Sequence, residues 1–189
     1  MKRVNQFTKL DNQFIKRWSP RSFKFDPLSL EEIQTVFEAA RWAPSCFNDQ
    51  PWHFVVAHEE EALIKMREAM MEGNQVWANK APVLIGVFAR KHMKHDNSVN
   101  KWAGFDAGAA WMSIALQARK MGLITHAMGG FFPEKLSEIC KLDPELYEPM
   151  CMVAMGKQGA LEDLPENFHD REEPSDRVEL QEILQFLKD

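Results

Sequence analysis

A sandwich of helices on a sheet, α/β or α+β, is the fold class this sequence predicts, and three observations predict it. Strand-like and helix-like segments alternate along the chain. One strand-like run, Pro82 to Phe88, is almost wholly apolar, as a strand buried on both faces must be. The segment from Ala103 to Lys120 is rich in small residues and nearly uncharged, so as a helix it needs cover on all sides. The 189 residues, 45% of them apolar and 27% charged, suit one globular domain over 1–189 with a real core.

Taken in order, residues Lys9 to Lys16 read as a short helix. Ser29 with Glu32 three positions later forms a capping box. It opens a helix with Ile33, Val36, Phe37 and Ala40 on one face, and Pro44 ends it. Trp52 to Ala57 is β-rich and reads as a strand. Glu59 to Met71 reads as a helix carrying Leu63, Met66 and Met70 on one stripe. After Pro82–Phe88 and the central helix come a short strand from Leu123 to Ala127 and a helix from Pro133, a favoured first-turn residue, to about Cys140. Met150 to Met155 is another buried strand, and Val178 to Lys188 a last helix. Trp52, Phe54, Trp77 and Trp111 are assigned to the core.

Net charge is -5, against general nucleic-acid binding, but the charge is uneven. Residues 1–24 hold seven Lys/Arg and one Asp, +6, whereas residues 160–189 hold three Lys/Arg and ten acids, -7. The basic arm reads as an anion-binding loop plus a solvated helix in preference to a nucleic-acid tail. Cys46, Cys140 and Cys151 form no C-x-x-C pair, and with no apolar leader after Met1–Asn5 they fit a reducing compartment, the cytoplasm. The uncharged stretch Ala107–Ala118 has twelve residues, too few to span a bilayer.

The chemistry starts at Arg17-Trp18-Ser19-Pro20-Arg21. Two guanidiniums and a hydroxyl fall within one extended, proline-held turn, and Arg presents a rigid donor fork that fits phosphate. Arg171 and Arg177 stand near the far end, though Arg171 reads as a surface residue between acids. No G-x-G-x-x-G, phosphate-loop lysine, H-E-x-x-H, G-x-S-x-G or cysteine-rich metal spacing occurs. His92-x-x-His95 lies among Lys, Asp and Asn and reads as a solvated turn. A phosphate must therefore be held by side chains, and a bound cofactor must carry the chemistry.

Arg17-x-Ser19-x-Arg21 followed by Ala43-Pro44-Ser45-x-x-Asn48-x-Gln50-Pro51-Trp52-x-Phe54 resembles the FMN-dependent nitroreductase family. So do Asn74-x-x-Trp77, Asp106-x-Gly108-x-Ala110, Gly129-Gly130-Phe131, Val153-x-x-Gly156 and Pro174-Ser175-x-Arg177, and the resemblance runs from about Phe14 to about Leu184. It implies an α+β fold, a mixed sheet flanked by helices in an intertwined homodimer. It also implies non-covalent FMN, reduced by NADH or NADPH at N5, and a nitroaromatic, quinone or enone acceptor that takes the electrons in a ping-pong cycle.

By the same resemblance, Arg17 and Ser19 contact FMN, Trp18 does so largely through its backbone, and Arg177 meets the phosphate. Arg21 falls where the family places a cation near the pyrimidine edge, with a phosphate role open. Pro44, Ser45, Cys46 and Asn48 match the loop that approaches the flavin from the other subunit. Asn74 matches an amide that reads the pyrimidine ring, and Gly129 and Gly130 match a turn whose backbone faces N5. The plain structural alternatives to a role in the site are that Asp106 caps its helix and that Gln50 bonds the loop backbone. Ser175 stands where many relatives carry a base in K-x-R, so one charge becomes a hydroxyl. The competing readings are a non-catalytic flavin-binding or sensor protein and a specialised relative such as a dehalogenase.

Overall fold

The computed structural model describes residues 7–187. The first five residues and Lys188, on which expectations were placed, lie outside them. Four strands form one sheet: β1 (Trp52–Ala57), β2 (Val83–Arg90), β3 (Leu123–Met128) and β4 (Tyr147–Lys157), in the spatial order β1-β2-β4-β3. Every pairing is antiparallel, with Val55 opposite Gly86, Ile85 opposite Val153 and Ala127 opposite Val153. The α+β class is observed; the parallel component of the expected mixed sheet is not found within the described residues of one chain.

Alternation along β2 and β4 explains the layers. Leu84, Phe88, Met152 and Ala154 point to one face, and Val83, Ile85, Val87, Val153 and Met155 to the other. The first face is covered by α3 (Glu60–Arg67), α4 (Glu72–Ala78) and α6 (Pro133–Cys140) through Leu63, Met66, Trp77 and Leu136. The second is covered by α2 (Leu30–Arg41) and α5 (Ala103–Lys120) through Ile33, Val36, Ala110 and Ile114. β2 is thus buried on both sides, as its composition requires. Trp77 is fully buried, whereas Trp52, Phe54 and Trp111 pack half-buried against the second cluster. No helix among the described residues is long and apolar enough to cross a membrane.

The capping box of α2 is present: Ser29 Oγ accepts from the Glu32 N–H at 3.2 Å, and the Glu32 carboxylate accepts from the Ser29 N–H at 2.8 Å. The first helix, α1, is shorter than expected and covers Asn12–Lys16, because the Asp11 side chain caps it by accepting from the Gln13 N–H at 2.8 Å. The helix expected to reach Met71 stops at Arg67. Met70 instead forms a β-bridge with Phe131, and the Gln75 side chain of α4 donates to the carbonyls of Arg67 (3.2 Å) and Met70 (2.7 Å). The last helix, α7, covers only Leu180–Ile183 of the expected Val178–Lys188. Ile183, Phe186 and Leu187 are 72%, 76% and 95% exposed, so among the described residues no packing surface supports further turns.

Candidate functional site

The loop that joins α1 to α2 and the segment 170–177 face each other across an open cavity of about 450 Å3. Arg17, Trp18, Ser19, Arg21, Ser175 and Arg177, all singled out from the sequence, line it together. They come from opposite ends of the chain. His126, Asp170, Arg171 and Glu173 also line it. Four guanidiniums therefore meet two carboxylates, a formal lining charge of +2, which favours an anionic ligand.

The two walls are fastened to each other. The Glu172 carboxylate accepts from the backbone N–H groups of Arg21 (2.8 and 3.0 Å) and Ser22 (2.9 Å). Arg21 Nη1 donates to the Arg171 carbonyl at 3.1 Å, and Ser22 Oγ donates to the Ala160 carbonyl. Burial, and next the Arg171 guanidinium, lower the Arg21 pKa, while Glu172 raises it. The acids that made Arg171 look like a plain surface residue thus include the one that closes the wall. Arg171 is exposed to solvent and lines the cavity as well. Arg177 Nη1 donates to the carbonyls of Ser175 (3.3 Å) and Asp176 (2.9 Å), which folds its side chain onto its own segment.

His126, on β3, has no motif to announce it. Its Nδ1 lies 3.0 Å from the Pro20 carbonyl, and its ring packs on Trp77 at 4.4 Å. Burial, and to a smaller degree the Arg21 charge, push its pKa down to about 4.

Asn74 and the turn Gly129-Gly130 also come together. Asn74 Nδ2 donates to the Gly130 carbonyl at 2.8 Å, and the Met71 N–H donates to the same oxygen at 3.0 Å. A Cβ on Gly130 would stand 2.7 Å from Asn74 Nδ2, so any larger residue there would have to displace the Asn74 amide from its present place. Beside it, a Cβ on Gly129 would meet nothing within 4 Å, which leaves that part of the turn open.

Pro44, Ser45, Cys46 and Asn48 do not line this cavity. They belong to a loop in which Phe47, Asn48 and Gln50 have φ of 52°, 54° and 48°. Such left-handed backbone in three non-glycine residues is sustained only by surrounding contacts. Ser45 Oγ accepts from the Gln50 N–H at 3.0 Å, and Gln50 Nε2 donates to the Asn48 carbonyl at 3.0 Å. Asp106 does not cap its helix; its buried carboxylate accepts from the Cys46 N–H at 3.1 Å. Asp49, 4% exposed, accepts from Arg90 Nη2 (2.7 Å), the Lys94 N–H (2.7 Å) and Asn100 Nδ2 (3.1 Å). Sequence reading missed this buried cluster because its members are scattered over 50 residues with no shared motif. Phe47 is 82% exposed at the tip of the loop. All three cysteines are free, and burial pushes the Cys140 and Cys151 thiols up to about 11. Among the described residues no group of three or more His, Cys, Asp and Glu is placed to hold a metal; His92 forms an isolated β-bridge with Val99, and His95 lies in the turn that follows.

The chain is similar to proteins already described. An Archaeoglobus fulgidus protein, provisionally named NADH dehydrogenase/NAD(P)H nitroreductase, is 36% identical over 144 residues, 74% of this chain and 80% of its own length. An enone reductase of CLA biosynthesis from Lactiplantibacillus plantarum is 28% identical over 172 residues, 71% of this chain and 79% of its own length. The crystal structure of an oxidoreductase containing FMN superposes with a TM-score of 0.92 at 38% identity, covering 97% of this chain and 93% of that one. The model of the Nitroreductase family matches residues 15–76 and 69–157. It stops short of Ser175 and Arg177, yet the FMN-containing structure extends the likeness over nearly the whole chain. With the Arg17–Arg21 loop and the Gly129-Gly130 turn inside the matched segments and the fold shared throughout, the chain belongs to the Nitroreductase family.

Proposed function

We propose that this protein is an FMN-dependent oxidoreductase that uses NADH or NADPH to reduce a small-molecule acceptor, a nitroaromatic, quinone or enone. The observation that carries the reading is the cation-lined cavity built by Arg17, Arg21, Arg171 and Arg177. Its volume of about 450 Å3 falls within the range of about 300–1,000 Å3 usual for ligand sites. Its donor set suits a phosphate monoester, with Ser19 and Ser175 adding hydroxyls to the arginines. The cofactor named for the similar structure therefore fits the residues present here.

When bound, FMN supplies the two-electron transfer from nicotinamide to acceptor that no side chain of this chain can perform. The chain's own residues bind and orient. Arg17, Ser19, Arg177 and Ser175 hold the phosphate, with Trp18 giving backbone contacts, and Arg171 joins them. Arg21, kept in place by Glu172 and the Arg171 carbonyl, adds positive charge on the same wall. Asn74 and the Gly129-Gly130 turn, already bonded to each other, read and support the ring system. Pro44, Ser45, Cys46 and Asn48, which do not line the cavity of their own chain, act from a second copy in a homodimer.

The visible spectrum of the purified protein tests this directly. A flavin spectrum that bleaches on anaerobic addition of NADH or NADPH is expected. A colourless protein that cannot be reconstituted with FMN overturns the reading. Parallel lines in double-reciprocal plots with a quinone or nitroaromatic are expected if donor and acceptor alternate in one pocket. Intersecting lines with a demonstrable ternary complex would rule out that sharing.

A further inference from the structure

We propose that His126 is a positioning residue for the anion-binding loop: its Nδ1–H holds the Pro20 carbonyl and thereby sets Arg17, Ser19 and Arg21 over the cavity. The proposal rests on the function proposed above for the cavity.

Pro20 is buried, and its carbonyl needs a partner away from water. His126 Nδ1, at 3.0 Å, supplies it. A carbonyl oxygen only accepts, so the proton of the neutral ring must sit on Nδ1, which fixes the tautomer. The other side of the loop is held by Glu172, which accepts from the N–H groups of Arg21 and Ser22. Pro20 and Arg21 are adjacent, so the loop is gripped at neighbouring residues, one by a donor on the sheet and one by an acceptor on the C-terminal segment.

His126 also ties this loop to the rest of the site. Its ring lies 4.4 Å from that of Trp77 on α4, the helix that carries Asn74. Two residues beyond it β3 ends, and the Gly129-Gly130 turn bonded to Asn74 begins. One side chain thus touches the loop and the helix and stands on the strand that feeds the turn. The charge that acts on it is that of Arg21 on the loop, and the other charged side chains lining the same cavity are Arg17, Asp170, Arg171, Glu173 and Arg177. Trp77 on α4 brings no charge. Burial beside Arg21 keeps the ring neutral at physiological pH, with its pKa pushed down to about 4.

Two measurements decide the matter. Long-range 1H–15N correlation spectra of the protein without FMN should show His126 as the Nδ1–H tautomer, neutral between about pH 8 and pH 5.5. The Nε2–H tautomer, or titration near the ordinary imidazole value, overturns the proposal. The second compares His126→Asn with His126→Gln, both folded by circular dichroism. Each loses the ring, but only Asn carries a donor at the position of Nδ1. FMN should bind His126→Asn about three- to tenfold more tightly than His126→Gln, the size of one neutral hydrogen bond. Equal affinities overturn the role of the donor. If the wild-type protein binds no FMN, the cofactor reading fails, and the tautomer measurement still judges the hold on Pro20.

Discussion

Arg177 turns one guanidinium nitrogen onto the carbonyls of its own segment, yet it lines a cavity whose cations outnumber its acids. Its replacement by Ala removes both a charge and a local brace. FMN affinity is expected to fall by about 1.5–3 kcal/mol, the scale of a charged hydrogen bond, as read from quenching of flavin fluorescence. His126 gives a pH dependence of stability. Its folded pKa of about 4 lies below the ordinary 6.5, so the unfolded chain binds more protons between these values. Its neutral burial therefore stabilises the fold fully above pH ~6.5 and loses that contribution as pH falls toward ~4. Between pH 7.5 and 5.0 wild type should lose up to about 2 kcal/mol more than His126→Asn in urea denaturation, as the size of the pKa shift dictates. Neither His126 nor Asp49 was legible in the sequence. A buried polar group is recognised by its partners, and here those partners are carbonyls and charges that only the folded chain brings near.

The elements read best where local chemistry sets both ends. α6 starts at Pro133 and stops at Lys141, which takes the left-handed conformation at φ 54°, so its expected limits match those observed. α5 covers Ala103–Lys120 as expected, and β2 follows from its apolar run. Apart from the start of α1, which the Asp11 cap delays, what failed turned on the presence or absence of distant partners. The break after Arg67 is set by a bridge to Phe131, and α7 is short because helical periodicity alone does not sustain turns that meet no surface. The same reasoning gives α5 a consequence. Its inner face is buried through Ala103, Ala107, Ala110 and Ile114, while Phe105 is 78% exposed and Met112 37%, with Gly104 and Gly108 open between them. This apolar outer stripe suits a second copy of the chain. Phe105→Glu combined with Met112→Glu should leave helix content in far-UV circular dichroism unchanged and shift sedimentation from dimer to monomer.

For the molecule as a whole, the proposed homodimer, in which Pro44–Asn48 serves the partner's cavity, would make assembly and cofactor binding one equilibrium. A ligand that binds only the assembled state stabilises it by mass action. Sedimentation should show a species near twice 21.9 kDa, and dilution should release FMN as copies separate. A stable monomer that keeps full FMN occupancy and activity would refute a role for that loop across the interface and leave the flavin assignment intact. The cation motifs of the cavity were legible at both ends of the sequence because arginine spacing is local, whereas their meeting was legible only through the family resemblance. That meeting has a consequence for how the protein is made. The fourth strand ends at Lys157, and Arg171, Ser175 and Arg177 follow it. A chain emerging from the ribosome thus exposes every strand of its sheet before the second wall of the cavity has left the exit tunnel. The cavity therefore closes later than the strands of the sheet emerge, and a protease that nicks the acidic segment after β4 should release a bound anion from a molecule whose sheet is still whole.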